Sequence, residues 1–516
     1  MPHRKTIAVV ATTLAGIAAR ASSLASQAIV GLYLTEEQVG TYALALGIAG
    51  VTGIWRSGGA ATYLPSIKPA HFDHLANPMF LWATAFGLTT ALMTAALAVA
   101  DDHLPDALAG YRLPGLPAVL AVLAARAAIF PISLIGRMRL SVEHRFVPLA
   151  KLDTFNAIAR FGMTWIVAAN GGGALALAVP YTASVAIEII AVCMLGGVLR
   201  RDLMPNLSRL QEVAGILAWP LALAIVMSIR ADVSFLMVGV MLPASALGIF
   251  YFSFQLANQP TMFLAGSLQN VLAPMLARAR GNPDLERLSM ERVFSSAMLF
   301  VPITTMAAAS VFPPAERLVW GGKWADAAPG IVFLSIGATY ATVVGLIFGP
   351  LIGLQRFRES TGFELLKMTG IIGGAIAGAA VVNLVPLAAI GNPLPVTCVS
   401  GAVAAGMTIT SLAQLIWVSK RYRFDPSDTM RRLAFGPLLA GLTGVAAHSL
   451  GHSLTDSIGL ATGRTSALVE LAVVGGTYAL LIALAVRFTA ESTLRDTVSM
   501  LPPRVRSVAG KLMLLH

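Results

Sequence analysis

The chain has 516 residues, of which 56% are hydrophobic and only 12% are charged, and its mean hydropathy is +0.76. Soluble proteins carry about 25% charged residues, so the composition excludes a soluble globular protein and predicts a polytopic membrane protein. The two cysteines, Cys193 and Cys398, both fall in apolar stretches, which argues for inert buried thiols rather than a disulfide or a metal site.

In chain order, the apolar runs predict fourteen membrane spans. They cover approximately 8–33, 40–64, 78–100, 115–136, 152–169, 174–198 and 213–240, then 245–277, 293–312, 329–353, 363–385, 394–419, 433–450 and 466–487. An all-α fold follows, because backbone in lipid must satisfy its own hydrogen bonds. Arg4 and Lys5 precede span 1, but Arg20 interrupts an apolar run that continues to about Leu34. That is the pattern of a retained helix rather than a cleaved signal peptide.

Polar stripes run along several spans. Span 1 carries Thr13, Gly16, Arg20, Ser23 and Gln27 at helical spacing. The stretch Leu34–Pro65 opens with an acidic turn, Thr35-Glu36-Glu37, and a Val39-Gly40-x-Tyr42 step. It then places Thr52, Arg56, Gly59 and Tyr63 on one predicted face. Span 5 gives Asp153, Asn156, Arg160 and Thr164; span 7 gives Arg230, Asp232 and Ser234; span 8 gives Gln255, Gln259, Gly266 and Gln269. Such stripes face other helices or a wet cavity rather than lipid. Interhelical hydrogen bonding alone accounts for many of the Ser, Thr and Gln members.

The arginines demand more. An arginine inside a span costs roughly 2.5–3.5 kcal/mol on insertion scales. Arg20, Arg56, Arg126, Arg160 and Arg230 face only four acids within spans, Asp153, Glu188, Asp232 and Glu470. Arg126 and Arg160 are expected to pair with Asp153 or Glu188, and Arg230 with Asp232. Arg20 and Arg56 have no acid in their own spans. The guanidinium fork matches phosphate oxygens, so Arg20, Arg56 and Arg230 are the expected sites for an anionic headgroup. Gln27, Arg126, Arg160, Asp232, Gln255 and Gln259 are further cavity or coupling positions. Lys367 is three residues from Glu364 and is expected to pair locally. His448 and His452 have the spacing of two metal ligands without a third, so no metal is expected.

With the N-terminus inside, 26 of the 36 lysines and arginines fall in cytoplasmic segments, four outside, and six within spans. This bias predicts both termini in the cytoplasm. It also makes the +11 charge a topological device rather than a nucleic-acid surface. Nucleotide-binding loops, H-E-x-x-H and G-x-S-x-G motifs are absent from the sequence, and the loops are too short for a catalytic domain. A transporter without cofactors is therefore expected rather than an enzyme, driven by a H+ or Na+ gradient or by the membrane potential.

An internal repeat supports two halves. Leu34-Thr35-x-x-x-Val39-Gly40-x-Tyr42 recurs 208 residues on as Leu242-Pro243-x-x-x-Leu247-Gly248-x-Phe250, and Arg145-Phe146 recurs 211 residues on as Arg356-Phe357. Six spans per copy imply two six-helix lobes in a parallel pseudo-repeat around a central cavity. The expected boundaries are 1–205, 206–425, and an appendix, 426–516, holding spans 13 and 14.

These motifs resemble the polysaccharide transporter (Wzx-like) family of oligosaccharide flippases, in the superfamily that also holds MurJ and the MATE exporters. Leu34–Pro65 looks like the family's span 1–2 signature. Leu247-Gly248-Ile249-Phe250-Tyr251, Gln259-Pro260, Val271-Leu272 and Pro274 resemble its second-half counterpart. Gly321-Gly322-Lys323-Trp324-x-x-Ala327-x-Pro329 resembles its G-x-x-W-x-x-A-x-P passage before span 10. Ser57 departs from the pattern where an acid is expected. The resemblance implies a flippase that moves a polyprenyl-diphosphate-linked oligosaccharide across the bacterial inner membrane by alternating access. The substrate would be an O-antigen, capsule or exopolysaccharide repeat unit, and polysaccharide polymerase or export machinery would be partners. A lipid II flippase and a MATE-type drug or cation antiporter are the alternatives on the same scaffold. A membrane glycosyltransferase would need a larger outer loop than any present.

Overall fold

The computed structural model describes residues 2–53, 57–64, 69–100, 113–204, 209–279, 282–353, 356–384, 393–457 and 463–489. Among these residues the regular structure is helical, with no strand. The first helices are α1 (Pro2–Tyr33), α2 (Glu36–Thr52), the one-turn α3 (Ala60–Tyr63), α4 (Pro69–Val99), α5 (Leu116–Val142), α6 (Phe146–Ala169), α7 (Leu175–Met194) and the short α8 (Arg200–Leu203). Then come α9 (Leu210–Met241), α10 (Ala244–Ala279), α11 (Pro283–Trp320), α12 (Ala328–Gly353), α13 (Phe357–Leu384), α14 (Pro393–Arg421), α15 (Pro426–Ser457) and α16 (Arg464–Thr489).

Setting α3 and α8 aside, the long helices follow the predicted spans one for one. Among the described residues, ten of them are long and apolar enough to cross a membrane. The other four are α2, with 17 residues, and α1, α6 and α10, whose polar stripes dilute their apolar surface. Large apolar side chains such as Leu92, Phe155, Ile166, Met194 and Leu442 stand exposed, as a lipid-facing surface requires. The chain is an all-helical polytopic membrane protein.

Span 2 is not one helix. α2 stops at Thr52, and Gly58 and Gly59 adopt φ of 57° and 81° before α3 begins. That left-handed backbone favours glycine and cannot continue an α-helix. The turn is held from two sides. The Trp82 indole N–H donates to the Gly58 carbonyl at 2.9 Å, and a Cβ on Gly59 would meet the Leu221 nitrogen at 2.5 Å. The expected stripe through Thr52, Gly59 and Tyr63 therefore does not form a continuous face. Arg56 lies outside the described residues.

The chain packs as two compact units, residues 1–252 with 351–399 and residues 253–350 with 400–516. In the first, α1 packs on α6, α4 on α5, α5 and α6 on α7, and α2 and α13 on α9. The two copies of the repeat also meet here. Gly40 and Gly248 are each the fifth residue of their helix, α2 and α10. A Cβ on Gly40 would overlap the Ala244 carbonyl oxygen, and one on Gly248 the Glu36 carbonyl oxygen. Only glycine allows this approach of backbones. Tyr42 packs edge-on against Tyr251, ring centres 5.7 Å apart, and Phe235 packs on Tyr251 at 5.1 Å. The acidic turn before Gly40 is a capping box. The Thr35 hydroxyl accepts from the Gln38 N–H, and the Gln38 side chain accepts from the Thr35 N–H. Phe146 and Phe357, of the second repeated pair, each begin a helix.

In the second unit, α15 and α16 pack on α11 and on each other around Met306, Ala440, Ala447, Val474 and Tyr478. The tryptophan motif is structural. Trp324 is fully buried, its backbone N–H donates to the buried Glu316 carboxylate at 2.8 Å, and the Ser253 hydroxyl donates to the Ala327 carbonyl at 3.1 Å.

Candidate functional site

The polar stripe of α6 opens onto a cavity of about 510 Å³ within the first unit. Gly16 and Ala19 of α1, Arg137 and Ser141 of α5, Asp153, Asn156 and Arg160 of α6, and Ser184 and Glu188 of α7 line it. Helical spacing explains why three stripe residues share the wall. The fourth, Thr164, is buried and bonds back to the Arg160 carbonyl at 2.9 Å. The Ser22 hydroxyl, donating to the Ala157 carbonyl at 2.8 Å, fixes α1 against α6.

Arg137 dominates the cavity electrostatics. Its Nη1 lies 2.7 Å from Asp153 and 3.2 Å from Glu188, and its Nη2 donates to Asp153 at 3.0 Å. The expected partners of these two acids were Arg126 and Arg160, and the structure corrects that. The reason is helix length. α5 runs on to Val142 and carries Arg137 alongside α6 and α7, whereas the hydropathy pattern ended span 4 at 136. Arg126 and Arg160 instead flank one aromatic ring, their guanidinium carbons 5.6 and 4.8 Å from the centre of Tyr181, at cation–π distance. Arg126 also lines a small void of about 40 Å³ with Asp232, Thr90, Thr94 and Ser228. Buried Tyr42 lies within electrostatic reach of Tyr181, Arg126, Asp232 and Arg160. The Arg126 Nε, the Asn156 Oδ1 and the Gln27 Oε1 are buried without a hydrogen-bond partner. Unmet polar atoms are uncommon in protein interiors and mark places able to receive a ligand or water.

Arg230 does not pair with Asp232. Residues two apart on a helix point to different sides. The Arg230 Nε therefore meets Glu364 of α13 at 2.6 Å, while the Asp232 side chain packs against Gly50 of α2. The predicted local pair forms, with Lys367 Nζ 3.3 Å from Glu364. Glu470 is matched by Arg317. Arg20 is half-buried on α1, one turn past the cavity-lining Gly16, and Gln255 and Gln259 are half-buried on α10. Among the described residues no group of three or more His, Cys, Asp or Glu is placed to hold a metal ion.

A second arginine past the expected end of span 4 at 136 is Arg139. It is 4% exposed, 2.6 Å from Asp73 and 2.7 Å from the buried Asp202, with the Phe72 ring centre 5.1 Å away. Asp202 also accepts from the Leu199 N–H at 2.9 Å. This network ties the short α8 to α4 and α5 and is structural.

Comparison with known proteins places this geometry. The lipid II flippase MurJ in an inward closed conformation superposes with a TM-score of 0.61 at 10% identity, over 93% of this chain and 99% of that one. A multidrug resistance MATE family transporter of the MOP superfamily, outward-facing, superposes at 0.50 with 14% identity, over 81% of this chain and 95% of that one. A MATE structure in the straight conformation gives 0.50 at 15% identity, over 81% and 96%. These identities establish a shared fold. No curated protein matches the chain. Residues 29–329, more than half of the chain, match the polysaccharide biosynthesis protein family, and the protein belongs to that family.

Proposed function

We propose that the protein is a flippase for a polyprenyl-diphosphate-linked oligosaccharide, working by alternating access in a bacterial inner membrane with both termini cytoplasmic. The reading rests on one observation, the cationic interior of the first unit. In the clusters described above, Arg20, Arg126, Arg137, Arg139, Arg160, Arg230 and Lys367 stand against Asp73, Asp153, Glu188, Asp202, Asp232 and Glu364. A cation exporter would need carboxylates to spare, whereas Arg137 occupies both cavity acids. Surplus guanidinium groups suit a diphosphate drawn into the membrane interior. Arg20, Arg56 and Arg160 are the residues proposed to meet it, Arg56 on its sequence position. An ion gradient or the membrane potential, worth about 2.3 kcal/mol per charge per 100 mV, is the proposed drive. Neither a cofactor nor a catalytic step is invoked.

MurJ, named for lipid II, shares the fold, so a lipid II-type substrate is the second reading. Reconstitution in vesicles tests both. Labelled undecaprenyl-diphosphate oligosaccharide and lipid II are each placed in one leaflet, and their translocation is followed. Arg160→Ala and Arg56→Ala are expected to slow oligosaccharide flipping about tenfold or more with insertion intact. Full rates from both variants would remove the proposal, and transport of lipid II alone would replace the substrate.

A further inference from the structure

The Arg230, Glu364 and Lys367 side chains form a charge cluster between α9 and α13 that the cavity does not use. The Arg230 Nε is 2.6 Å from Glu364 Oε2, and the Lys367 Nζ is 3.3 Å from Glu364 Oε1. The side chains are 30%, 16% and 7% exposed for Arg230, Glu364 and Lys367. Two cations thus share one carboxylate, and a full positive charge is left over in a membrane-spanning unit. Taking an unmatched cation out of water is costly unless a counter-ion balances it. The Arg230–Glu364 contact is also incomplete. The Arg230 Nε and Glu364 Oε2 are close, yet neither makes an aligned hydrogen bond. Arg230 is the most exposed of the three.

We infer that this cluster is a counter-ion exchange site, in which Glu364 holds the place of a phosphate and yields Arg230 and Lys367 to a diphosphate group. The inference rests on the flippase reading above and names Glu364 and Lys367 as parts of its substrate path. Charge balance sets the direction of the exchange. A dianionic phosphate neutralises the two cations if Glu364 withdraws, but leaves the cluster at net −1 if Glu364 stays. The guanidinium fork and the ammonium offer complementary contacts, one planar and one a mobile point charge. Glu364 in the empty state keeps both cations paired enough to remain buried. It therefore also sets the threshold for binding, because any weaker anion fails to displace it.

The test uses the purified full-length protein in nanodiscs, titrated with inorganic pyrophosphate, farnesyl diphosphate and farnesol. Glu364→Gln removes the competitor and is expected to tighten pyrophosphate binding by about tenfold. Lys367→Met is expected to weaken it by about tenfold, and Lys367→Arg to restore it. Folding is checked by the melting transition of each variant. The Glu364→Gln gain keeps the test decisive even if Lys367→Met is unstable. Unchanged or weaker binding in folded Glu364→Gln would overturn the exchange. Parallel responses to pyrophosphate and farnesyl diphosphate, with none to farnesol, support a lipid-borne diphosphate. A response to pyrophosphate alone overturns that source in favour of a free anion. Vesicle flipping is read separately. A protein that shows the Glu364→Gln gain yet moves no lipid-linked oligosaccharide would sink the flippase reading and leave the exchange site standing.

Discussion

Both units of this protein bury Ser and Thr hydroxyls, but they arrange their buried charge differently. In residues 1–252 with 351–399, the interior carries guanidinium, ammonium and carboxylate groups: Arg137 between Asp153 and Glu188, Arg139 between Asp73 and Asp202, and Glu364 between Arg230 and Lys367. In residues 253–350 with 400–516, the described buried polar groups are mostly hydroxyls. Thr305 meets Thr339 at 2.7 Å, the Thr443 hydroxyl returns to its own helix, and the Tyr340 hydroxyl donates to the Leu433 carbonyl at 3.1 Å. Charged groups there form isolated contacts, as in Arg432 with Asp428, Glu316 with the Trp324 turn, and the buried Glu470 with Arg317. Hydroxyls bonded along their own helix are satisfied locally and buried at little cost. Ion clusters are expensive and are retained where something else needs them. The difference is why the proposed anion path is placed in the first unit.

The largest test of that contrast is Arg139→Met. It would leave Asp202 buried without its partner, and removing one member of a buried pair costs about 3–5 kcal/mol. Equilibrium unfolding in mixed micelles should register most of that loss. In the second unit, Thr305→Val removes half of a buried hydroxyl pair, but Thr339 keeps its bond to the Ser335 carbonyl at 2.8 Å. The expected loss is about 0.5–1.5 kcal/mol. Similar costs for the two variants would erase the distinction between the units.

Helix number was readable from hydropathy because lipid imposes one requirement on every span, an apolar run long enough to cross. The repeat was readable too, since Gly40 and Gly248 take equivalent places in α2 and α10. Their mutual contact was not, because nothing local in either segment names its partner 208 residues away. Charge pairing was the least legible. The hydropathy pattern ended span 4 at 136, so Arg137 and Arg139 were assigned to the connection after it, whereas α5 continues to Val142. Arg137 then takes partners 16 and 51 residues along the chain. The pairing of Arg230 with Asp232, by contrast, was excluded by helix geometry alone. The α6 stripe was correct because its periodicity and its cavity are one fact seen twice.

The smallest expected effect lies in the second unit at the start of α15, outside its apolar run. Asp425 precedes α15 and accepts from the Ser427 hydroxyl and the Ser427 N–H, both at 2.8 Å. These two bonds, the hydroxyl first, hold its carboxyl below the usual aspartate range. The ionised form is favoured in the fold, so its contribution is complete above the ordinary aspartate pKa of about 3.9. It fades as pH falls from there through the lowered folded value. The side chain is fully solvated, so Asp425→Ala should lower the melting temperature slightly at pH 7, and the gap between variant and parent should close in strong acid. A gap that persisted at low pH would mean that the carboxylate charge is not what caps α15. A gap as large as that of Arg139→Met would mean that the second unit, too, depends on charge.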